Sequence, residues 1–385
     1  MARKSLIGLI LLALIACQRA EAPKAKSESP PPAPAPRLDR DSTPPGSYAP
    51  IVDRVAPSVV TVRSARRTRA PRQFPFLNDP RLGELFGGLF GAPGGGREQI
   101  RLGLGSGVIV RADGYVLTNQ HVIDGADEIT IELSNRRSYP AKVIGSDPPS
   151  DLAVLKVDAN DIPALAFGNS DEARVGDIVL ALGNPLGIGQ TVTAGIISAK
   201  SRSTGLSDGS FEDFLQTDAP INQGNSGGAL VNTAGLLLGI NSQILSPTGV
   251  NIGIGFAVPV NMARNVMEQL ISSGKVERGH LGVGIQQVTP EIAASIGLKE
   301  ARGVIIAEVS PNSAAARAGI QRGDVVVAFN DTPVVDGNAL RNAIAGSKPG
   351  TPVKLTILRN GKEQTIEAKL DEYRGPAKAP PAPRE

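Results

Sequence analysis

Between Ile51 and Ala257 the apolar positions fall in short runs, each closed by glycine or a polar turn. Val55-Ala-Pro-Ser-Val-Val-Thr-Val62 is strand-like, and Gly105–Val110, Ala112-Asp113-Gly114 and Tyr115–Thr118 read as a hairpin on an Asp-Gly turn. Further strands are predicted at Glu128–Leu133, Tyr139–Ile144, Leu152–Val157, Ile178–Leu182, Val192–Ala199, Ala229–Val231, Leu236–Ile240 and Gly253–Ala257. Strands this short, with tight connections, indicate antiparallel sandwiches or barrels. A helix from Val260 to about Ser273 closes the region. Strands then recur at Leu281–Ile285, Gly303–Val309, Asp324–Phe329 and Val353–Arg359, with an Asn360-Gly361 hairpin turn and short helices at Ser313–Ala318 and Ala339–Ile344. The pattern divides the chain into a body at 48–275, a second unit at 279–372 and a Pro/Ala-rich tail at 373–385 that reads as disordered.

Two segments break the alternation. Arg63 to Arg101 reads as an insertion: a basic cluster (Arg63, Arg66, Arg67, Arg69, Arg72), then Phe74, Phe76, Phe86 and Phe90, then glycines to Gly96. It is either a mobile surface loop or a regulatory or oligomer-contacting one, because aromatics rarely accumulate in a loop that never packs. At the N-terminus, Arg3 and Lys4 precede an apolar run from Leu6 to Ala16. Its eleven residues are too short to cross a hydrocarbon core of ~30 Å and read as a secretory signal. The run ends Leu14-Ile15-Ala16-Cys17, which resembles a bacterial lipobox with Cys17 as the lipidated residue; the rival is cleavage after Ala20-Glu21-Ala22. Residues 1–17 are thus the predicted signal, and the Pro-rich 18–47 a stiff tether.

Composition narrows the chemistry. A length of 385 residues suits two domains with tails, and the 44 glycines suit many tight turns. The net charge of +3 is too small to argue for nucleic acid, and no nucleic-acid-binding signature appears. Cys17 is the only cysteine, so the folded part has neither disulfide nor thiolate chemistry. With His121 and His280 the only histidines, a His-rich metal site is excluded; no metal and no cofactor is predicted.

The sharpest motif is Gly224-Asn225-Ser226-Gly227-Gly228. A nucleophilic serine needs small neighbours so that a carbonyl can approach, and glycines let backbone N–H groups converge on one point as an oxyanion hole. That hole is assigned to the Gly224 and Ser226 amides, with Asn225 between them. The motif also satisfies the nucleophile elbow of α/β-hydrolases, which requires the order Ser, acid, His. Only Glu268 and Glu277, and no Asp, lie between Ser226 and His280, and the surroundings are strand-turn-strand. The order His, Asp, Ser is available instead: His121 follows Thr118-Asn-Gln at a strand end, and Asp151 precedes the apolar run Leu152–Val157. Asp147 competes with Asp151 for the carboxylate role.

The segments TNQHVIDGADEI, SDLAVLKV and QTDAPINQGNSGGALVN resemble the three catalytic segments of the HtrA/Deg family of chymotrypsin-like serine proteases. The resemblance covers residues from about 50 to 372, and three ordered motifs make it specific. It implies a mainly β fold: a double β-barrel protease domain followed by one PDZ domain, β-rich with two short helices. It implies His121 as general base, Asp151 as its orienting carboxylate and Ser226 as nucleophile of an acyl-enzyme mechanism.

The resemblance also implies a substrate pocket on the loops Gly183–Thr193 and Asn241–Gly255, with Ile188, Thr191, Ile244 and Leu245 as lining residues. No acidic residue stands in either loop, so cleavage after small or medium apolar residues is expected. Lys200–Phe214 matches the family's sensor loop, with Arg202 at its basic relay position. In the PDZ unit, His280, Leu281, Gly282 and Val283 match the carboxylate-binding loop for C-terminal peptides, the ligand adding as a strand.

The implied function is an ATP-independent envelope endopeptidase acting on misfolded or regulatory proteins and gated by peptides at the PDZ groove; no Walker motif is present. Its implied setting is the periplasm of a Gram-negative bacterium, tethered through Cys17, as a homotrimer. Gln18 tilts the anchor toward the outer membrane. The rivals are a binding or chaperone protein with a latent protease, opposed by the intact triad, and an esterase or lipase, opposed by the triad order.

Overall fold

The computed structural model describes residues 46–69, 98–184, 189–204, 211–222, 224–244, 252–295 and 300–375. The predicted residues Cys17, Ile188 and Leu245, and most of the 63–101 insertion, lie outside this set.

The chain enters through helix α1 (Ala49–Val55) and a 3-10 turn at Ala56–Ser58. Here the reading of Val55–Val62 as one strand is corrected. Pro50 and Pro57 each sit in the first turn of their helix, where the missing N–H is harmless, so the strand starts only at Val59. Strands β1 (Val59–Arg69) and β2 (Glu98–Arg111) reach into both ends of the predicted insertion and pair from Val59↔Val108 to Arg69↔Glu98. With β3 (Tyr115–Thr118), β4 (Glu128–Glu132), β5 (Ser138–Asp147) and β6 (Leu152–Val157) they close a six-stranded barrel in the order β1-β2-β3-β6-β5-β4. One helical turn, α2 (Gln120–Ile123), follows β3.

A second closed barrel uses β7 (Ile178–Gly183), β8 (Thr191–Arg202), β9 (Phe214–Thr217), β10 (Ala229–Asn232), β11 (Leu237–Ile244) and β12 (Gly255–Pro259), in the order β10-β11-β12-β9-β8-β7. Strand β9 was not predicted, because Phe-Leu-Gln-Thr is too short to show alternation. Each barrel has its own filling: Val60, Ile109, Ile131 and Leu155 in the first, Val179, Ile197, Leu215 and Leu230 in the second. A third cluster joins Val108, Leu117 and Leu152 of one barrel to Leu182, Ala229, Ile240 and Phe256 of the other. That shared core fixes the barrels against one another.

Helix α3 (Val260–Ser273) seals this core with Val260, Ala263, Val266, Met267 and Leu270, spaced to share one face. Each large side chain so buried contributes about 1.5–3 kcal/mol. The helix ends at Gly274, whose φ of 72° only glycine adopts cheaply, and whose N–H bonds the Leu270 carbonyl.

The C-terminal unit starts with β13 (Gly279–His280), then β14 (Val283–Gln287), α4 (Pro290–Ser295), β15 (Val304–Val309), α5 (Ala314–Arg317), β16 (Val325–Phe329), β17 (Thr332–Pro333), α6 (Gly337–Gly346), β18 (Pro352–Arg359), β19 (Lys362–Lys369) and β20 (Asp371–Glu372). Its sheet runs β14-β15-β16-β18-β19, with β17 on β16, and β13 pairs with β20 apart from it. Strand β14 is therefore an edge strand. Asn360 and Gly361 both have positive φ, 52° and 73°, as a two-residue hairpin of this type demands. Three helices stand where two were predicted. Helix α4 is six residues long and Ala293 is its one buried residue among those described, too little apolar periodicity to be read.

Candidate active site

Each barrel contributes one part of the site. His121 lies on α2, directly after β3, and Asp151 lies between β5 and β6 of the same barrel. Ser226 lies in the turn before β10 of the other barrel. The two halves meet closely: a side chain at Gly105 of β2 would press on Val122, next to His121, and on the Ser226 carbonyl. Likewise, a Cβ on Gly227 would run into the Ser106 carbonyl and the Thr118 hydroxyl. Glycine at these positions is what lets the serine turn reach the strands that carry the histidine.

Asp151 is held on all sides. A 3-10 turn at Pro148–Ser150 leads into it, and it adopts φ 53°, a left-handed conformation that Asp tolerates better than most side chains. Its carbonyl accepts from Asn119 Nδ2 (2.9 Å) and Gln120 N (3.1 Å). Its carboxylate accepts from His121 N (3.0 Å) and Ser242 Oγ (3.0 Å). The His121 ring meets the same carboxylate through Nδ1, at 2.8 Å to Oδ2 and 3.0 Å to Oδ1. An Nδ1–H donated to a carboxylate leaves Nε2 as the nitrogen free to accept a proton, with the other pole of the ring compensated when it becomes charged. The imidazole side chain is half exposed (49%), so substrate has access to it. Ser226 Oγ makes no hydrogen bond to His121 among the described residues; such bonds tighten in the substrate complex.

Gly224 and Gly227 have φ of 99° and 83°, and the N–H groups of Gly224 and Ser226 have no acceptor among the described residues. Asn225 between them is buried, 1% exposed. Two unpaired N–H donors beside a serine hydroxyl are chemically able to hold a developing oxyanion.

Asp147, the rival carboxylate, is engaged elsewhere. It binds Arg278 through both oxygens and accepts from Ser150 N and Oγ. Of the residues predicted to line the pocket, Thr191 opens β8 opposite Gly183 and Ile244 ends β11 opposite Gly255. Arg202 is exposed at the end of β8, opposite Phe214. Ser106, Ser242 and Arg278 escaped the sequence reading. The only trace of the first was a serine flanked by glycines inside a predicted strand.

In the C-terminal unit, Leu281 is buried and Gly282 has φ 77°, packed where a Cβ would collide with Ser313. Their carbonyls accept from Ala315 N and Ser310 N, each 2.9 Å, while their own N–H groups have no acceptor among the described residues. Val283 starts edge strand β14, and His280 pairs with Asp371, its ring 5.6 Å from Tyr373. The arrangement has free N–H groups beside an open strand edge, which suits an extended peptide ending in a carboxylate. This unit also touches residues beside the site. Asn338 and Asn342 of α6 donate to the Glu212 carbonyl (2.8 and 2.7 Å), and Phe211 N donates to Pro149 O (2.8 Å) just before Asp151.

Comparison with known proteins agrees with this geometry. Residues 105–240 match the trypsin-like peptidase domain family and residues 279–370 the PDZ domain family. The chain is 42% identical over 348 residues to the periplasmic serine endoprotease DegP of Escherichia coli K12, covering 85% of this chain and 72% of that protein. It is 45% identical over 335 residues to the periplasmic pH-dependent serine endoprotease DegQ of the same organism, covering 86% and 71%. Among solved structures, the HtrA-type protease AlgW with decapeptide superposes with a TM-score of 0.68 at 42% identity, covering 86% of this chain and all of that one.

Proposed function

The chain belongs to the HtrA/DegP family of trypsin-like serine proteases with a PDZ domain, and on that premise we propose that it is a periplasmic serine endopeptidase in which Ser226, His121 and Asp151 form the catalytic triad. The observation that carries the assignment is the doubly bonded His121–Asp151 pair, set beside a glycine-rich turn with two unpaired N–H groups. His121 takes the Ser226 proton as Oγ attacks the scissile carbonyl; the tetrahedral oxyanion is met by the Gly224 and Ser226 amides, with Asn225 setting their spacing. His121 then protonates the leaving amine, and water releases the acyl group by the same route.

Cleavage follows small or medium apolar residues seated among Ile188, Thr191, Ile244 and Leu245. Peptides with hydrophobic C-termini add to the edge of β14, their carboxylate held by the loop His280, Leu281, Gly282 and Val283. Their binding reaches the site through the segment carrying Arg202, Phe211 and Glu212. The substrates are misfolded or regulatory envelope proteins, the active form is a homotrimer, and a lipid on Cys17 tethers it to the membrane.

The test is casein degradation by the full chain and by Ser226→Ala, with and without peptides ending in hydrophobic residues. Loss of degradation in the variant and stimulation of the wild type by peptide are expected. Equal degradation by both proteins refutes the protease assignment, and indifference to peptide refutes the gating.

A further inference from the structure

Ser106 is fully buried in β2, in the barrel that carries His121 and Asp151, yet three of its hydrogen bonds reach Gly224, Ser226 and Asn184 outside that barrel. Its hydroxyl donates to the Gly224 carbonyl (2.5 Å) and accepts from Asn184 N (2.8 Å), and its backbone N–H donates to the Ser226 carbonyl (2.8 Å). Its own carbonyl accepts from Thr118 Oγ1 (2.7 Å). One residue thus touches both proposed oxyanion residues and the start of the loop that follows β7.

Three peptide planes run from Gly224 to Gly227. In the first, the Gly224 carbonyl is held by the Ser106 hydroxyl and the Asn225 N–H by Asn222 O (3.0 Å). In the third, the Ser226 carbonyl is held by Ser106 N and the Gly227 N–H by Asn241 O (2.8 Å). In the second, the Asn225 carbonyl accepts from Gly228 N (2.9 Å), and the Ser226 N–H alone has no acceptor among the described residues. Five of the six polar groups are tied, two of them by Ser106, and the sixth is a proposed oxyanion donor. A peptide plane flanked by two tied planes has little freedom to rotate, and that preorganisation is what makes an oxyanion donor effective.

We propose that Ser106 is a positioning residue for the oxyanion hole: through its hydroxyl bond to the Gly224 carbonyl it keeps the Ser226 N–H aimed at the reacting carbonyl oxygen. The inference rests on the serine-protease reading above. Removing the hydroxyl leaves the Gly224 carbonyl and the Asn184 N–H facing a void, so the first plane is held only by the Asn225–Asn222 bond and can tilt, carrying the second with it. Loss of a whole oxyanion donor costs about 100- to 1,000-fold in kcat; loss of its support is expected to cost roughly 10- to 100-fold.

The experiment compares the full-length wild type, Ser106→Ala, Ser106→Cys and Ser226→Ala on a chromogenic peptide amide with valine at the cleaved bond, with a saturating activator peptide ending in a hydrophobic residue. The Ala variant deletes the hydroxyl; the Cys variant fills the space with a somewhat larger group that is a weaker donor. Expected is a fall in kcat with KM within twofold, larger for Ala than for Cys. The affinity for a peptide boronate, which forms the tetrahedral adduct, should weaken in proportion, while a product peptide binds unchanged. A merely structural role would lower the folded fraction without separating boronate from product. The proposal is overturned if Ser106→Ala keeps kcat within twofold, or if boronate and product affinities fall together; should that variant not fold, the same criteria apply to Ser106→Cys. Hydrolysis by Ser226→Ala at the wild-type rate, or none by the wild type, would instead refute the protease reading itself.

Discussion

Replacing Arg278 by alanine is expected to unsettle the fold from a position with no part in the chemistry. The guanidinium lies between the barrels and the C-terminal unit and binds Asp147 through both carboxylate oxygens, with side chains only 9% and 7% exposed. It also lies over Phe211, 4.8 Å from the ring centre, and the Arg278 backbone carbonyl accepts from Tyr373 N (2.8 Å). Truncation leaves the Asp147 carboxylate buried without a counter-charge, a loss of about 3–5 kcal/mol. At about 2–4 °C per kcal/mol for a unit of this size, the unfolding midpoint should fall by about 6–20 °C. The measurement is thermal unfolding in a Ser226→Ala background, which removes self-digestion. Adding Asp147→Asn to Arg278→Ala should recover most of the loss, because Asn carries no charge and keeps an oxygen for Ser150 N. Because the pair is buried, 0.5 M salt should barely change the difference, unlike an exposed pair screened over a Debye length of about 10 Å at 0.1 M. A fall below about 2 °C, or a double variant no more stable than the single one, would refute the account of a compensated buried charge.

Two further outcomes follow from local geometry. Gly282→Ala places a Cβ against Ser313 at a φ of 77°, so the proposed carboxylate loop must shift; the dissociation constant of a hydrophobic C-terminal peptide, read by fluorescence anisotropy, should rise at least about tenfold, one step of 1.4 kcal/mol, and an unchanged constant would remove the loop from the proposed binding site. Asp213 is held above its ordinary value of 3.8, first by burial and then by the nearby Asp171 and Asp336, against the opposing pull of its Ser201 hydrogen bond and Lys200. Its protonated form is favoured in the fold, so stability should fall as pH rises from 3.8 through the raised value, and Asp213→Asn should flatten that dependence and raise the midpoint at neutral pH; an equally steep profile in the variant would refute it.

The barrels were legible because their signal is local. Runs such as Leu152–Val157 and Ile178–Leu182 carry their strand character in their own residues, and helix α3 carries its buried face within fourteen. What failed to show was decided by context. Val55 to Ser58, read as strand, are instead the end of α1 and a 3-10 turn, because Pro57 fits the first turn of a helix, and the strand begins only at Val59. The arms of β1 and β2 continue into basic and polar sequence because they are held by pairing to one another, a contact no single strand's composition records.

The two aspartates before β6 make the same point about the site. Asp147 and Asp151 stand four residues apart in one short turn, and composition alone assigns neither a task. The division comes from partners distant in the chain: Arg278, 131 residues from Asp147, and Ser242, 91 residues from Asp151. A carboxylate bound at both oxygens by a buried arginine is locked into supporting the turn. One that accepts from a half-exposed histidine, a hydroxyl and a backbone N–H faces the imidazole that the proposed mechanism uses to move a proton. Ser106 follows the same logic, 118 residues from the carbonyl it holds. The proposed nucleophile and its base announce themselves because their chemistry restricts which residue types can serve. The groups that aim them are ordinary serines, asparagines and arginines, and only the closed barrels give them a place to point.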